Sequence, residues 1–265
     1  MAPARGMQRA PGESTGMSLV NTLFVNPPSR PAWDLGAFRV LAERRSAGDS
    51  SGGDFYAFRL RGPKRLAVVI GDACGRGQEA ANLLPGVLQR LHETAASAVR
   101  PSALLHYLNR GLAAELSSDR FVTGAALEID GQAGTITVAN AGHVPAVLRH
   151  ASGKVEIVGR ASGPPLGILS DAHYRDETYR IESGDVLVLM TDGVLEAVET
   201  DLAEMPTLSA LVGQSSGSGG AVHGRLLAQL AGQLSQRAPD DMTLLSLELL
   251  AEARKATLCG LPALA

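Results

Sequence analysis

Short apolar segments joined by tight turns constrain the fold of this chain more than any other feature. FYAFRL at 55–60 and RLAVVIGD at 65–72 have strand-like composition, and the RGPK between them predicts a β-hairpin. Similar segments recur downstream as TGAALEID, TITVANAG, PAVLRH, KVEIVG, YRDETYRI, DVLVLMTDG and MTLLSLELL. Because consecutive strands with short connections pair antiparallel, we expect mostly antiparallel sheets.

Helical segments are predicted as one adjacent pair and one later helix. The first begins near Gln78 and contains Pro85, which predicts a kink or a division of the helix. The second opens with Pro101 and carries a stripe of leucines as far as Leu116. The third follows a Gly/Ser-rich segment at 213–220, which is typical of a flexible loop. This order predicts an α+β fold whose helices cover the outer faces of stacked sheets.

Length and composition limit the domain organisation. The 265 residues, 45% of them hydrophobic, suffice for a sizeable core. Residues 1–34 are rich in Pro, Gly, Ser and Arg and are predicted to form a flexible N-terminal arm. The main domain is predicted at 35–252 and a C-terminal tail at 253–265.

Charge and the lack of targeting signals indicate which environment and partners to expect. The net charge of −3 provides no basic field for nucleic acid or an anionic membrane surface. The sequence shows neither a signal peptide nor an apolar run long enough to cross a membrane. Its two cysteines, Cys74 and Cys259, form no disulfide or metal pattern. We therefore expect a cytoplasmic protein that binds neither nucleic acid nor membranes.

Four aspartates share one setting, the end of an apolar strand beside a tight turn. They are Asp54, Asp72, Asp192 and Asp240. A single aspartate at such a place is usually a turn residue, because its carboxylate accepts hydrogen bonds from nearby backbone amides. If the four strand ends converge, however, they form an oxygen-only ligand set that suits Mg²⁺ or Mn²⁺. Spacing alone leaves both interpretations open.

Seven motifs in order carry a family resemblance. SGGDFY, GDACGRG, FVTGAALEID, NAGHVPAVL, GPPLGI, GDVLVLMTDGVLEA and PDDMTLL resemble the SpoIIE-type branch of the metal-dependent (type 2C, PPM) serine/threonine protein phosphatases, over about residues 38–249. The resemblance implies a four-layer αββα sandwich, in which two mostly antiparallel sheets face each other between layers of helices. It also implies two Mn²⁺ or Mg²⁺ ions. Their implied ligands are Asp54, Asp72 as the bridge, the backbone carbonyl of Ala73, Asp192 and Asp240.

Other residues are assigned by position in these motifs. Asp72 and Asp192 are expected to be catalytic through the metals, and Asp241 is expected to lie outside the direct ligand set. Asn140 and His143 of the NAGH turn are expected to shape the site.

The GDACGRG motif departs from the GDVSGHG of many relatives. Cys74 stands in place of Ser and is expected to have a packing role. Arg76 stands in place of His. Arg76 is a candidate catalytic residue that binds phosphate bidentately, and a solvated turn arginine is the alternative.

The resemblance implies a reaction and a pathway. The protein would hydrolyse a phosphoserine or phosphothreonine monoester with water that the metals activate, without a phosphoenzyme. The implied substrate is a STAS-domain anti-sigma-factor antagonist in partner-switching signalling, and we expect control by a regulatory partner in trans or by the N-terminal arm. The alternative is a catalytically weak phosphoprotein-binding module of the same fold. A third hypothesis is hydrolysis of a small phosphoester.

Overall fold

The computed structural model describes residues 23–25, 30–47, 52–75, 77–94, 100–198, 205–215, 217–234 and 240–252. Twelve strands occur in these ranges: Leu23–Val25 (β1), Arg30–Leu35 (β2), Phe38–Arg45 (β3), Asp54–Gly62 (β4), Arg65–Ala73 (β5), Val122–Asp130 (β6), Thr135–Ala141 (β7), Ala146–Arg149 (β8), Val155–Val158 (β9), Glu177–Arg180 (β10), Val186–Met190 (β11) and Met242–Leu249 (β12).

The strands form two antiparallel sheets. Sheet A has the order β1-β4-β5-β6-β7-β10, and sheet B has the order β2-β3-β12-β11-β8-β9. The helices are Gln78–Ala81 (α1), Leu84–Glu93 (α2), Pro101–Glu115 (α3), Asp192–Val198 (α4), Pro206–Gly213 (α5) and Gly219–Leu234 (α6).

Three hydrophobic clusters separate four layers of secondary structure. Between the sheets, alternate residues such as Tyr56 and Ile70 from sheet A meet Leu245 and Leu247 from sheet B. On the outer face of sheet A, Phe55 and Val69 pack against the leucines of α2 and α3. On the outer face of sheet B, Val186 and Val188 pack against α4, α5 and α6. The predicted αββα sandwich is therefore confirmed.

Local predictions from Gly and Pro are confirmed. β4 and β5 form the expected hairpin. The first predicted helix is divided: α1 ends at Ala81, and α2 begins at Leu84 with Pro85 in its first turn. Pro101 is the first residue of α3.

Several elements differ from the sequence prediction. The strand expected over YRDETYRI is limited to β10, and α4 and α5 were not predicted. The loop predicted at 213–220 is shorter than expected, because α5 ends at Gly213 and α6 begins at Gly219. Strands β1 and β2 come from the predicted arm and pair with β4 and β3. The boundaries of the arm, the main domain and the tail remain predictions.

No helix in the described ranges has the length and apolar character needed to cross a bilayer. A cytoplasmic location remains a prediction.

Candidate metal centre

Two of the predicted aspartates are direct neighbours across sheet A. In the register of β4 and β5, Asp54 lies opposite Asp72. Side chains alternate along a strand, and Tyr56 and Ile70 face sheet B, so Asp54 and Asp72 also project between the sheets. Opposite residues of an antiparallel pair have Cβ atoms about 4.5–5.5 Å apart. The hairpin therefore brings both carboxylates to one end of the sandwich.

Sheet B holds the carboxylate of Asp54 by one of its two oxygens. Thr191 Oγ1 and Thr243 Oγ1 both donate hydrogen bonds to Asp54 Oδ2, at 2.8 and 2.6 Å. Thr243 N in turn donates to Thr191 Oγ1 at 2.9 Å. Asp54 Oδ1 is buried and has no hydrogen-bond partner in the described structure. One oxygen is thus anchored, while the other remains available to a ligand.

Asp192 and Asp240 reach the same end of the sandwich from sheet B. Asp192 is the first residue of α4, just beyond the end of β11, and lies at the surface. Asp240 lies two residues before β12, and its Oδ1 accepts a hydrogen bond from Asp241 N at 2.8 Å. The charges of both residues raise the pKa of Asp72, so their carboxylates lie on the same side of the molecule as the Asp54–Asp72 pair.

Asp241 fixes the backbone that precedes β4. Its two carboxylate oxygens accept hydrogen bonds from Ala47 N and Gly53 N, both at 2.8 Å. With both oxygens bonded to backbone amides, Asp241 orients the segment that carries Asp54. This position agrees with its expected place outside the direct ligand set.

Burial, and then repulsion from neighbouring carboxylates, raises the pKa of three carboxyls at this end of the sandwich. Burial raises the pKa of Asp54 to about 7; the hydrogen bonds from Thr243 and Thr191 oppose this, and the charges of Asp241 and Asp192 add to it. Burial raises the pKa of Asp72 to about 8, and the charges of Asp54, Asp192, Asp240 and Asp241 contribute in the same direction. The pKa of Asp192 is also raised, by partial burial of its carboxylate and then by Asp240. A bound divalent cation would reverse this balance, because it favours the ionised carboxylates.

Gly53 leaves space beside two of the predicted ligands. A Cβ atom at this position would lie 2.6 Å from the Ala73 carbonyl oxygen and 2.8 Å from Asp72 Oδ1. Ala73 N donates a hydrogen bond to Gly53 O at 3.1 Å, which fixes the close approach of the two backbones. Any side chain at 53 would therefore occupy the space in front of both oxygens.

The donor set fits a hard divalent cation in its chemistry. As the side chains stand, no three His, Cys, Asp or Glu residues in the described ranges are grouped closely enough to hold a metal ion. The converging groups are nevertheless all oxygen donors, the pKa values of three carboxyls are raised, and Asp54 Oδ1 is an orphaned buried atom. Mg²⁺ and Mn²⁺ prefer such carboxylate and carbonyl ligands.

The NAGH turn lies beside this centre and is held by a buried amide. Asn140 Nδ2 donates to His143 O at 2.9 Å and Gly159 O at 2.7 Å, and its Oδ1 accepts from His143 N at 2.7 Å. His143 Nδ1 lies 2.9 Å from the hydroxyl of Thr123, which is opposite Asp72 in the register of β5 and β6. Burial lowers the pKa of His143 to about 4, so this imidazole is neutral at pH 7. These contacts support the strand that carries Asp72.

The two substituted positions of GDACGRG have different outcomes. Cys74 Sγ accepts a hydrogen bond from Phe121 N at 3.1 Å, a contact with the segment that precedes β6. Arg76 lies outside the described residues, and its role remains a prediction.

Sequence reasoning missed Thr191 and Thr243, the donors to Asp54. A signal for them exists in the alternation of the strands. Leu189 and Leu245 face the inter-sheet core, so the residues two positions away, Thr191 and Thr243, are expected on the same inner face. A hydroxyl at an inner-face position at the end of a strand indicates a buried polar partner.

Two facing antiparallel sheets with helices on both outer faces form the fold of the PP2C phosphatase domains. The PP2C domain of SpoIIE from Bacillus subtilis superposes with a TM-score of 0.70 at 19% identity, covering 81% of this chain and 64% of that one. The structure of the RsbU and RsbW domains of Rv1364c from Mycobacterium tuberculosis also gives 0.70, at 22% identity, covering 85% and 64%. The catalytic domain of the serine/threonine phosphatase PstP, solved with two manganese ions, gives 0.56 at 15% identity, covering 80% and 98%.

The chain belongs to the family described as Stage II sporulation protein E (SpoIIE), whose model matches residues 62–250. The phosphoserine phosphatase RsbU of Bacillus subtilis is 28% identical over 186 residues, which are 70% of this chain and 53% of RsbU. The phosphoserine phosphatase RsbP of the same organism is 26% identical over 155 residues, covering 57% of this chain and 38% of RsbP. The chain thus spans about half or less of the length of these relatives.

Proposed function

We propose that this chain is a metal-dependent protein-serine/threonine phosphatase that hydrolyses a phosphoserine or phosphothreonine monoester. The observation that carries the proposal is the placement of Asp54, Asp72, Asp192 and Asp240 at one end of the sandwich. The pKa values of the first three are raised, and Asp54 has one orphaned buried oxygen. Family membership and the phosphoserine phosphatases among the relatives support the same reaction.

The proposed ligands are Asp54, Asp72, the Ala73 carbonyl, Asp192 and Asp240. When bound, two Mn²⁺ or Mg²⁺ ions would supply positive charge that stabilises the phosphoryl oxygens and lowers the pKa of the water that attacks phosphorus. The PstP structure with two manganese ions supports the choice of metal for this fold.

The chain's own residues hold these ligands in place. Thr191 and Thr243 fix Asp54 by one oxygen, which leaves the buried Oδ1 without a hydrogen-bond partner among the described residues. Asp241 fixes the backbone of Gly53, and Gly53 keeps space free beside Asp72 and Ala73. Such preorganisation reduces the rearrangement needed when substrate arrives.

We further propose that the substrate is a phosphorylated STAS-domain anti-sigma-factor antagonist in a partner-switching pathway, with control by a partner in trans. The family resemblance of the seven motifs supports this assignment, as does the similarity to RsbU and RsbP.

The test measures phosphate release from a STAS-domain protein in which phosphoserine is installed during expression, in the presence of Mn²⁺. Asp72→Asn and Asp192→Asn are expected to lower the rate by more than about 100-fold, because changes even to the groups that support metal ligands reduce activity about 10–100-fold. The matched control is Asp34→Asn, which removes a carboxylate from a partly buried ion pair with Arg39 that has no place among the proposed ligands, and it should leave the rate within about twofold.

A folded wild-type protein that binds this phosphoprotein but releases no phosphate with Mn²⁺, from it or from p-nitrophenyl phosphate, would refute the phosphatase proposal. That result would instead favour the binding-module alternative.

A further inference from the structure

Two adjacent large apolar side chains are exposed beside the candidate metal centre. Ile168 and Leu169 are 47% and 52% exposed, and they follow the GPPLG segment in the loop between β9 and β10. An isolated exposed leucine is ordinary, whereas neighbouring apolar side chains on a fixed loop are a feature of binding surfaces.

The loop is held firmly, so the exposure of these side chains is imposed by the backbone. Asn109, fully buried on α3, accepts a hydrogen bond from Gly167 N at 2.9 Å and donates to Leu169 O at 2.7 Å. Leu166 and Val122 exchange two backbone hydrogen bonds of 2.8 and 2.9 Å. Gly167, with φ of +93°, turns the chain against α3. The loop therefore presents Ile168 and Leu169 from a rigid base.

Register connects this loop with the metal centre. Val122 lies opposite Ala73 in the pairing of β5 and β6, and Leu166 bridges to the other side of Val122. Neighbouring strands are about 4.8 Å apart, so Leu166 is about 10 Å from Ala73. A protein substrate with its phosphorylated side chain at the centre is large enough to reach Ile168 and Leu169, because a standard interface covers about 800 Å² of each partner.

Arg120 lies between the loop and the centre. Its Nη1 lies 3.5 Å from the position that a Cβ atom on Gly75 would take. Its carbonyl oxygen lies 3.6 Å from the position that a Cβ atom on Gly167 would take. Its side chain is 28% exposed and forms a long, 3.6 Å ion pair with Glu79, which is itself largely exposed. Such an exposed pair contributes little stability, so the guanidinium can exchange Glu79 for an acidic group on a partner.

We propose that Arg120, Ile168 and Leu169, called here the docking rim, bind the phosphoprotein substrate. The rim fits a folded domain that presents an apolar patch, with an acidic group between that patch and the phosphorylated residue. This inference rests on the proposed phosphatase function and adds the surface that distinguishes a protein substrate from a small phosphoester. The buried core of an interface is more apolar than the rest of the surface, and arginine is enriched among the residues that contribute most to binding.

The experiment compares two substrates, the phosphoserine-containing STAS-domain protein and p-nitrophenyl phosphate, both with Mn²⁺. The double variant Ile168→Ser/Leu169→Ser is expected to raise KM for the phosphoprotein about tenfold, while the rate with p-nitrophenyl phosphate changes by less than about twofold. Tyr107→Ser is the matched control, because Tyr107 is 43% exposed but faces Glu93 on α2.

A second pair of variants tests the charge of the rim. Arg120→Gln is expected to raise KM for the phosphoprotein, and the effect should shrink at high salt because the contact is electrostatic. Arg110→Gln changes an exposed arginine on α3 that lines the groove between α2 and α3, and it should leave KM unchanged.

Three results would overturn the proposal. The first is an unchanged KM of the double variant for the phosphoprotein. The second is an equal loss of rate with both substrates. The third is a double variant that keeps its KM but no longer forms a dimer seen for wild type in analytical ultracentrifugation, which would assign the rim to a second copy of the chain.

Failure of the phosphatase function is distinguished by a binding assay. If wild type hydrolyses neither substrate, the dissociation constant of the fluorescently labelled phosphoprotein is measured by anisotropy. Weaker binding by the double variant would support the rim without catalysis. Equal binding, or no binding to wild type, would overturn it.

Discussion

Gly53→Ala tests the close approach of backbone and ligands at the metal centre. The added Cβ would lie 2.6 Å from the Ala73 carbonyl oxygen, 2.8 Å from Ala80 Cβ and 2.8 Å from Asp72 Oδ1. Ordinary contacts of this kind are about 3.5 Å or longer, so the backbone must shift by several tenths of an ångström. Overpacking of this kind typically costs about 1–3 kcal/mol. We expect the free energy of unfolding to fall by about 2 kcal/mol in urea denaturation with EDTA. We also expect Mn²⁺ affinity in calorimetry to fall at least tenfold, because the shift moves two proposed ligands.

Gly62→Ala is the matched control for this change. Gly62 ends β4, and a Cβ atom there would meet nothing within 4 Å. Neither glycine has a positive φ, so both substitutions add the same atom without backbone strain and differ only in the space available. Gly62→Ala should stay within about 0.5 kcal/mol of wild type or be slightly stabilising. If Gly53→Ala unfolds like Gly62→Ala and binds Mn²⁺ like wild type, the inferred closeness at this site is wrong.

Three further predictions concern the acidic centre and its support. Asp54 and Asp72 bind protons more tightly in the folded state than in the unfolded state, so the free energy of unfolding of metal-free protein should fall as pH rises from about 4 to 8. Asp72→Asn should make this dependence on pH shallower, measured by urea denaturation at a series of pH values. Thr243→Val removes the 2.6 Å hydrogen bond to Asp54 and should lower the free energy of unfolding by about 1.5–3 kcal/mol at pH 9, with a smaller loss at pH 5. A loss that does not depend on pH would contradict a hydrogen bond to the ionised carboxylate. Asn140→Ala removes three buried hydrogen bonds and should cost about 2–4 kcal/mol in the same denaturation assay, whereas a change below about 1 kcal/mol would show that the NAGH turn does not depend on this amide.

Local chemistry made part of the fold predictable. The turn between 60 and 65 and the prolines at 85 and 101 act through fixed φ angles and missing donors, so their effect is visible in a single sequence. The α4 and α5 helices were missed because they are short, and short helices form through packing rather than propensity. Val194 on α4 and Leu208 on α5 are buried against sheet B, a contact that depends on the finished sandwich.

The site was predictable in composition but not in geometry. Each strand-end aspartate is visible in the sequence, and the hairpin makes the pairing of Asp54 with Asp72 an accessible inference from register. The bonds from Thr191 and Thr243 cross between sheets and join residues 137 and 189 positions from Asp54. Such pairings depend on how the sheets are stacked, which local patterns do not specify.

The acidic end of the sandwich is unfavourable for the fold by itself. Register forces Asp54 and Asp72 together, sheet B buries them, and the threonines satisfy only one of Asp54's oxygens. A cation that binds the folded chain but not the unfolded chain stabilises it in proportion to the logarithm of its concentration. The proposed ligands come from sheet A at Asp54 and Asp72 and from the sheet B side at Asp192 and Asp240. Binding there would therefore join the two sheets at the end where the apolar core between them gives way to carboxylates, so that the groups proposed for catalysis also determine the stability of this edge.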